Sequence, residues 1–170
     1  FTLFPYTTLF RSYNAFVEII KKNFKDVDVI AGVATGAIAV GMMVAEVLDK
    51  PFVYVRPKPK DHGTGAQVEG DLAPGARVVV VEDLISTGGS SLKAVEAIRR
   101  DGCEVIGMVA SYTYGFPVAI EAFKNAKVEL VTLTNFEAVR EVAVKTGYIN
   151  QEDVALLDAW REDPAHWTGK

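Results

Sequence analysis

V-V-V-V-E-D-L-I-S-T-G-G-S-S, residues Val78 to Ser91, is the stretch whose reading decides the fold. Four β-branched residues in succession, with no polar alternation, suit a parallel strand covered on both faces. That strand is expected to end at Val81, with two adjacent acids, Glu82 and Asp83, at its carboxyl end. A short loop rich in Ser, Thr and Gly comes next. A helix is predicted from about Ser90 to Asp101, stopped by Gly102. In open α/β sheets, ligands bind outside the carboxyl ends of such strands.

The loop has a definite chemistry. Its backbone N–H groups, two glycines that permit close approach and the positive end of the following helix make an anion cradle suited to a phosphate monoester. Ser86, Thr87 and Ser90 add hydroxyl donors. Glu82 and Asp83 repel a phosphate, but they can accept hydrogen bonds from the two hydroxyls of a ribose, or help hold a cation between sugar and a second phosphate group. The segment therefore predicts a sugar phosphate, with the phosphate on Gly88–Gly89 and the diol on the acids. A plainer reading stands beside it: a helix cap after a strand, with the acids merely solvated. The loop is neither a Walker A sequence nor G-x-G-x-x-G.

Working outward, Phe16, Ile19, Ile20 and Phe24 recur at helical spacing. Val27 to Val33 reads as a strand, Ala34–Ala37 as a Gly/Ala-rich turn, Ile38 to Leu48 as a helix and Phe52 to Arg56 as a strand. Residues Pro57 to Gly70, P-K-P-K-D-H-G-T-G-A-Q-V-E-G, have no clear period and read as a mobile loop or a loose hairpin. Downstream, strands are predicted at Val105–Tyr114 and Val128–Leu133. Helices are predicted at Pro117–Asn125, Phe136–Lys145 and about Glu152–Arg161, the last with Val154, Leu157 and Trp160 on one face. Alternating strands and helices indicate an α/β fold: a largely parallel central sheet flanked by helices.

The 170 residues are 49% hydrophobic and 24% charged, enough for one core and too few for two ordinary domains. One domain over residues 1–170 is expected. A net charge of -4 argues against coating nucleic acid, and no apolar stretch reaches membrane-span length. Cys103 is the single cysteine and is expected to be a small buried hydrophobe, in keeping with a reducing, cytoplasmic setting. His62 and His166 lie far apart, with no zinc-type spacing. Phe1 to Arg11, F-T-L-F-P-Y-T-T-L-F-R, shows neither helical period nor signal-peptide order. It is expected to be a non-native leader, the alternative being an ordinary N-terminal strand.

Glu82 to Ser90, E-D-L-I-S-T-G-G-S, resembles the phosphoribosyl pyrophosphate signature of type I phosphoribosyltransferases. A second segment, Tyr54 to Gly65, Y-V-R-P-K-P-K-D-H-G-T-G, is similar to the orotate branch of that family. The resemblance covers about residues 13 to 168. It implies a type I fold with a mobile lid, and magnesium-dependent transfer of a phosphoribosyl group from phosphoribosyl pyrophosphate to orotate. It implies that Glu82 and Asp83 bind the ribose hydroxyls and that Ser86, Thr87, Gly88, Gly89 and Ser90 anchor the 5-phosphate, with Leu84 and Ile85 among the substrate-binding residues. Ser86 would also contact orotate, and Arg56, Lys60 and His62 would meet the pyrophosphate. Lys60 and Asp83 are the expected catalytic pair. Mg2+ would be held mainly through substrate, with no direct protein ligand. The lid would reach a neighbouring subunit's site in a homodimer.

Thr35, in the turn G-V-A-T-G-A-I, is a further candidate pyrophosphate contact or simply part of a tight turn. Tyr112, Thr113 and Tyr114 occupy the strand end where many orotate enzymes carry an Arg; they read as a wall beside the base or as ordinary strand aromatics. The resemblance also implies an N-terminal hood with a Ser-Pro segment, and none stands before Tyr13. The alternatives are a purine phosphoribosyltransferase, a non-catalytic phosphoribosyl pyrophosphate-binding regulator, or an inactive fragment.

Overall fold

The computed structural model describes residues 4–59 and 66–168, and for 4–10 the backbone only. The elements follow in the order α1 (Phe4–Asn23), β1 (Val29–Val33), α2 (Ile38–Leu48), β2 (Phe52–Val55), β3 (Val68–Glu69) and β4 (Arg77–Ile85). Then come α3 (Gly89–Arg100), β5 (Glu104–Thr113), α4 (Pro117–Asn125), β6 (Leu130–Asn135), α5 (Phe136–Lys145) and α6 (Gln151–Glu162). The described strands form one sheet in the order β3-β2-β1-β4-β5-β6. All neighbours pair in parallel except β3, which runs antiparallel to β2.

The valine run is buried on both faces, as its composition requires. Val78 and Val80 point into a core with Val95 and Ile98 of α3 and Phe123 of α4. Val79 and Val81 point the other way, onto Phe16 and Ile20 of α1 and Val40 and Val44 of α2. All four valines are 0% exposed. Burying a valine side chain is worth about 1.5–3 kcal/mol, so this strand anchors both halves of the molecule. Cys103 is buried and unpaired, as expected.

Three expectations need correction. β4 does not stop at Val81 but continues to Ile85, because β5 beside it keeps offering ladder partners: Glu82 pairs with Ala110, Leu84 with Tyr112 and Ile85 with Thr113. The first helix starts at Phe4, so Phe4 to Arg11 is neither aperiodic chain nor strand. Pro5 falls in its first turn, where a missing N–H costs nothing. The last strand begins at Leu130 instead of Val128, since the Val128 N–H is taken by the Phe123 carbonyl at 3.1 Å, closing the end of α4.

The stretch after β2 begins and ends as a hairpin, with Tyr54 opposite Glu69 and Val55 opposite Val68. Its centre, including Lys60 and His62, lies outside the described residues. The C-terminal helices carry strong caps. The Asn135 side chain accepts from the Ala138 N–H at 2.9 Å. Asn150 and Asp153 form a reciprocal capping box at the start of α6. Val154, Leu157 and Trp160 are half-buried on α6.

Candidate active site

The strand order reverses at β1: β2 is added on one side and β4 on the other. The crossovers diverge there, leaving a crevice beyond the carboxyl ends of β1 and β4, the usual ligand position in such sheets. A cavity of ≈ 570 Å³ occupies it, lined by residues that include Thr35, Gly36, Arg56, Asp83, Ser90 and Lys93. The turn after β1 runs close to the acids. A Cβ on Gly36 would collide with the Asp83 carboxylate, so only glycine leaves that carboxylate its place.

The two acids are not equivalent. Glu82 is 5% exposed. Its Oε1 accepts from the Asp83 N–H at 3.0 Å and its Oε2 from the Ser91 hydroxyl at 2.9 Å. Burial, reinforced by the neighbouring Asp83 carboxyl, pushes its pKa up to about 7. Asp83 is exposed to the cavity. One acid is thus a buried brace and the other an exposed carboxylate facing the crevice.

Arg56 stands at the carboxyl end of β2. Its Nη1 meets Glu69 Oε1 at 3.4 Å, its N–H donates to the Gln67 carbonyl at 2.9 Å, and its carbonyl accepts from Gln67 Nε2 at 3.0 Å. The hairpin base therefore holds a half-buried guanidinium against the cavity wall. Gln67 is itself held by Arg100 of α3, whose Nη2 lies 3.0 Å from Gln67 Oε1.

Between β4 and α3 the loop is only Ser86, Thr87 and Gly88. Gly88 caps the helix with φ 81°, and a Cβ there would lie 2.8 Å from the Phe123 ring. Both facts demand glycine. No side chain among the described residues caps α3, and its first turn holds no acid. The N–H groups of that turn are left for an anion.

The loop is a ridge between two cavities. Leu84, Gly89 and Ser90 face the crevice. Ser86 and Thr87 face a second cavity of ≈ 580 Å³, walled by Tyr114, Phe116, Trp160 and Arg161. Ile85 points into the core at 0% exposure, and Gly88 is covered, so neither offers a side-chain contact. Of the sequence-derived candidates, Arg56, Glu82, Asp83, Leu84, Gly89, Ser90 and Thr35 meet in one cavity. Tyr114 lines the second, where it stacks on Phe116 with centroids 5.3 Å apart.

Sequence reasoning missed three residues. Lys93 adds a cation to the crevice; its spacing of three from Ser90, on one helix face, was the available signal. Ser91, 1% exposed, braces Glu82. Arg161 enters the second cavity from α6, and nothing local in sequence indicates that. Among the described residues no group of three or more His, Cys, Asp or Glu side chains is placed to hold a metal ion, and no helix is long and apolar enough to cross a membrane.

This arrangement gathers an exposed carboxylate, a guanidinium and the open N-terminus of α3 around one crevice of a largely parallel sheet, and comparison with known proteins identifies the family of that sheet. Residues 8–144 match the family model for the phosphoribosyl transferase domain. The chain is 73% identical over 150 residues to an orotate phosphoribosyltransferase of Phocaeicola vulgatus, covering 88% of this chain and 71% of that one. It is 66% identical over 170 residues to the orotate phosphoribosyltransferase of Bacteroides fragilis, covering 96% of this chain and 80% of that one. The crystal structure of orotate phosphoribosyltransferase from Aeropyrum pernix superposes with a TM-score of 0.71 at 33% identity, over 85% of this chain and 77% of that one. The chain belongs to the phosphoribosyltransferase family, in its orotate phosphoribosyltransferase branch.

Proposed function

We infer that this chain is an orotate phosphoribosyltransferase, transferring the 5-phosphoribosyl group from phosphoribosyl pyrophosphate to orotate, with orotidine 5′-phosphate and pyrophosphate as products. The reaction is a step in making pyrimidine nucleotides. The observation that carries this reading is the crevice at the β1/β4 reversal, where an exposed carboxylate, an uncapped helix N-terminus and a guanidinium face one space.

The roles follow from that chemistry. The 5-phosphate accepts from the first-turn N–H groups of α3 and from Ser90, in the field of the helix N-terminus. Asp83 accepts from the ribose hydroxyls, while Glu82 braces the Asp83 backbone. Arg56, with Lys60 and His62, receives the charge that builds on pyrophosphate as its bond to C1′ breaks. The electron pair of that bond leaves with pyrophosphate. The base nitrogen closes the new bond at C1′ and loses its proton. Lys93 adds positive charge near the phosphates. Ser86 meets the base at the second cavity. Rate comes from positioning and electrostatics, with no covalent enzyme intermediate.

Magnesium fits this donor set as a substrate-borne ion: both Glu82 oxygens already have donors, which leaves Asp83, among the described residues, as the one carboxylate exposed to the crevice, and Mg2+ typically keeps its waters and substrate phosphates. When bound it would neutralise pyrophosphate charge. A homodimer is the expected assembly, with Lys60 and His62 reaching a neighbouring site. A cytoplasmic location accords with the unpaired Cys103. Residues 1–170 are read as one domain.

Calorimetric titration with phosphoribosyl pyrophosphate and magnesium, then orotate, followed by turnover, tests the reading. Binding of both with formation of orotidine 5′-phosphate supports it. Turnover of adenine or another purine in place of orotate would overturn it.

A further inference from the structure

Orotate is uracil carrying a carboxylate, and a cation beside the ring is the most direct way for a site to select it. We propose that Arg161, delivered from the end of α6, is the residue that binds this carboxylate and sets the preference for an acidic base. The inference rests on the functional reading above.

The second cavity has the form of a heterocycle pocket. Ser86 and Thr87 form its border with the phosphate loop. Tyr114 and Trp160 supply aromatic walls, with ring centroids 5.6 Å apart, and Tyr114 stacks on Phe116. Planar rings bind well on such faces. Among the described residues, Arg161 is the one cation lining this space.

The guanidinium is also held in place. Its carbon sits 5.2 Å from the centroid of the Phe136 ring, and its Nη2 pairs with Glu137 Oε1. The side chain is 28% exposed, so it is partly desolvated and yet open to the cavity. A Cβ on Gly115 would lie 3.2 Å from Nη2, which places the guanidinium against the end of β5. The absence of a side chain at Gly115 makes room for it there.

A guanidinium has five N–H donors. The pair with Glu137 engages one nitrogen, leaving donors for a ligand carboxylate, which favours the paired geometry a guanidinium offers. Glu137 and the cavity-lining Glu162 oppose an anion, so the arrangement holds a carboxylate only while Arg161 is present. Charge on the base, more than ring shape, would then decide selection.

Orotidine 5′-phosphate and uridine 5′-phosphate differ only in that carboxylate, and their affinities for the full chain isolate its contribution. The wild-type chain is expected to favour orotidine 5′-phosphate. Arg161→Met is expected to weaken orotidine 5′-phosphate at least tenfold and leave uridine 5′-phosphate within twofold. Arg161→Lys should recover part of the loss. Glu137→Gln, which frees the guanidinium, should tighten orotidine 5′-phosphate severalfold with uridine 5′-phosphate unchanged, and it serves if Arg161→Met does not fold. An Arg161→Met chain that keeps the wild-type preference, or equal losses for both nucleotides, overturns the assignment. So does a Glu137→Gln chain with unchanged or weaker orotidine 5′-phosphate binding. A wild-type chain that binds neither nucleotide overturns the functional reading itself, and this inference with it.

Discussion

The Ser91 hydroxyl donates to Glu82 Oε2 at 2.9 Å in a setting where both residues are buried. The bond ties the first turn of α3 to the end of β4, the two elements joined by the Ser86–Gly88 loop. Ser91→Ala removes the donor and leaves a carboxyl oxygen without a partner in a buried site. A loss of about 1–3 kcal/mol in stability is expected, with weaker binding of phosphoribosyl pyrophosphate as the strand–helix junction loosens. Thermal melts and titration of the same sample measure both; an unchanged melt would show that the bond contributes nothing.

Glu82 also makes stability depend on pH. Its folded-state pKa, about 7, lies above the ordinary value of 4.5, chiefly through burial. Between those values the folded chain holds a proton that the unfolded chain has released. Stability from this group is therefore fully present below about 4.5 and is lost as pH rises through about 7. Glu82→Gln, which carries no charge at any pH, should flatten this part of the profile. Denaturant titrations from pH 5 to pH 8 on both chains decide it, and identical profiles would mean that Glu82 does not titrate there.

Asp83 faces the crevice with its side chain exposed. Asp83→Asn is expected to weaken phosphoribosyl pyrophosphate about tenfold, near 1.4 kcal/mol, while stability changes by less than about 0.5 kcal/mol. Calorimetry in the presence of magnesium reads the first and melting the second. Full affinity in the variant would remove Asp83 from the ribose site.

Gly36 tests the same carboxylate from the opposite side. Because an added Cβ would collide with the Asp83 carboxyl, Gly36→Ala should push that carboxylate aside. The expected result is a loss in phosphoribosyl pyrophosphate affinity comparable to that of Asp83→Asn. Combined with Asp83→Asn it should cost little more, since both changes disturb one contact. Fully additive losses would show that the two residues act separately.

Much of the fold was legible in the chain. The valine run announced a strand covered on both faces, and helices α2, α4 and α5 fell on the predicted residues. Those signals are local: side-chain shape and periodicity act over a few residues, and the burial they ask for can be met by any parallel sheet. The loop between β4 and α3 was legible for the same reason, since its glycines and hydroxyls are consecutive.

Other features depended on what the chain places beside itself. The end of β4 was misjudged because pairing with β5, and not the composition of Glu82–Ile85, extends it. The start of α1 was misjudged because an aromatic, Pro-containing segment gives no period to read.

The sequence by itself determined an α/β sheet, its central buried strand and a Ser/Thr/Gly loop into a helix at that strand's end, because each rests on neighbours in the chain. Only the tertiary structure decided that Gly36 lies against Asp83, that Ser91 occupies one oxygen of Glu82, and that the loop divides two cavities. It also decided that Arg161, some 75 residues beyond Ser86 in the numbering, faces the same space. Those relations arise where the strand order reverses and where Trp160 of α6 packs against Tyr114 and Phe116 beyond the end of β5, and no local pattern encodes the distance between segments that packing brings together.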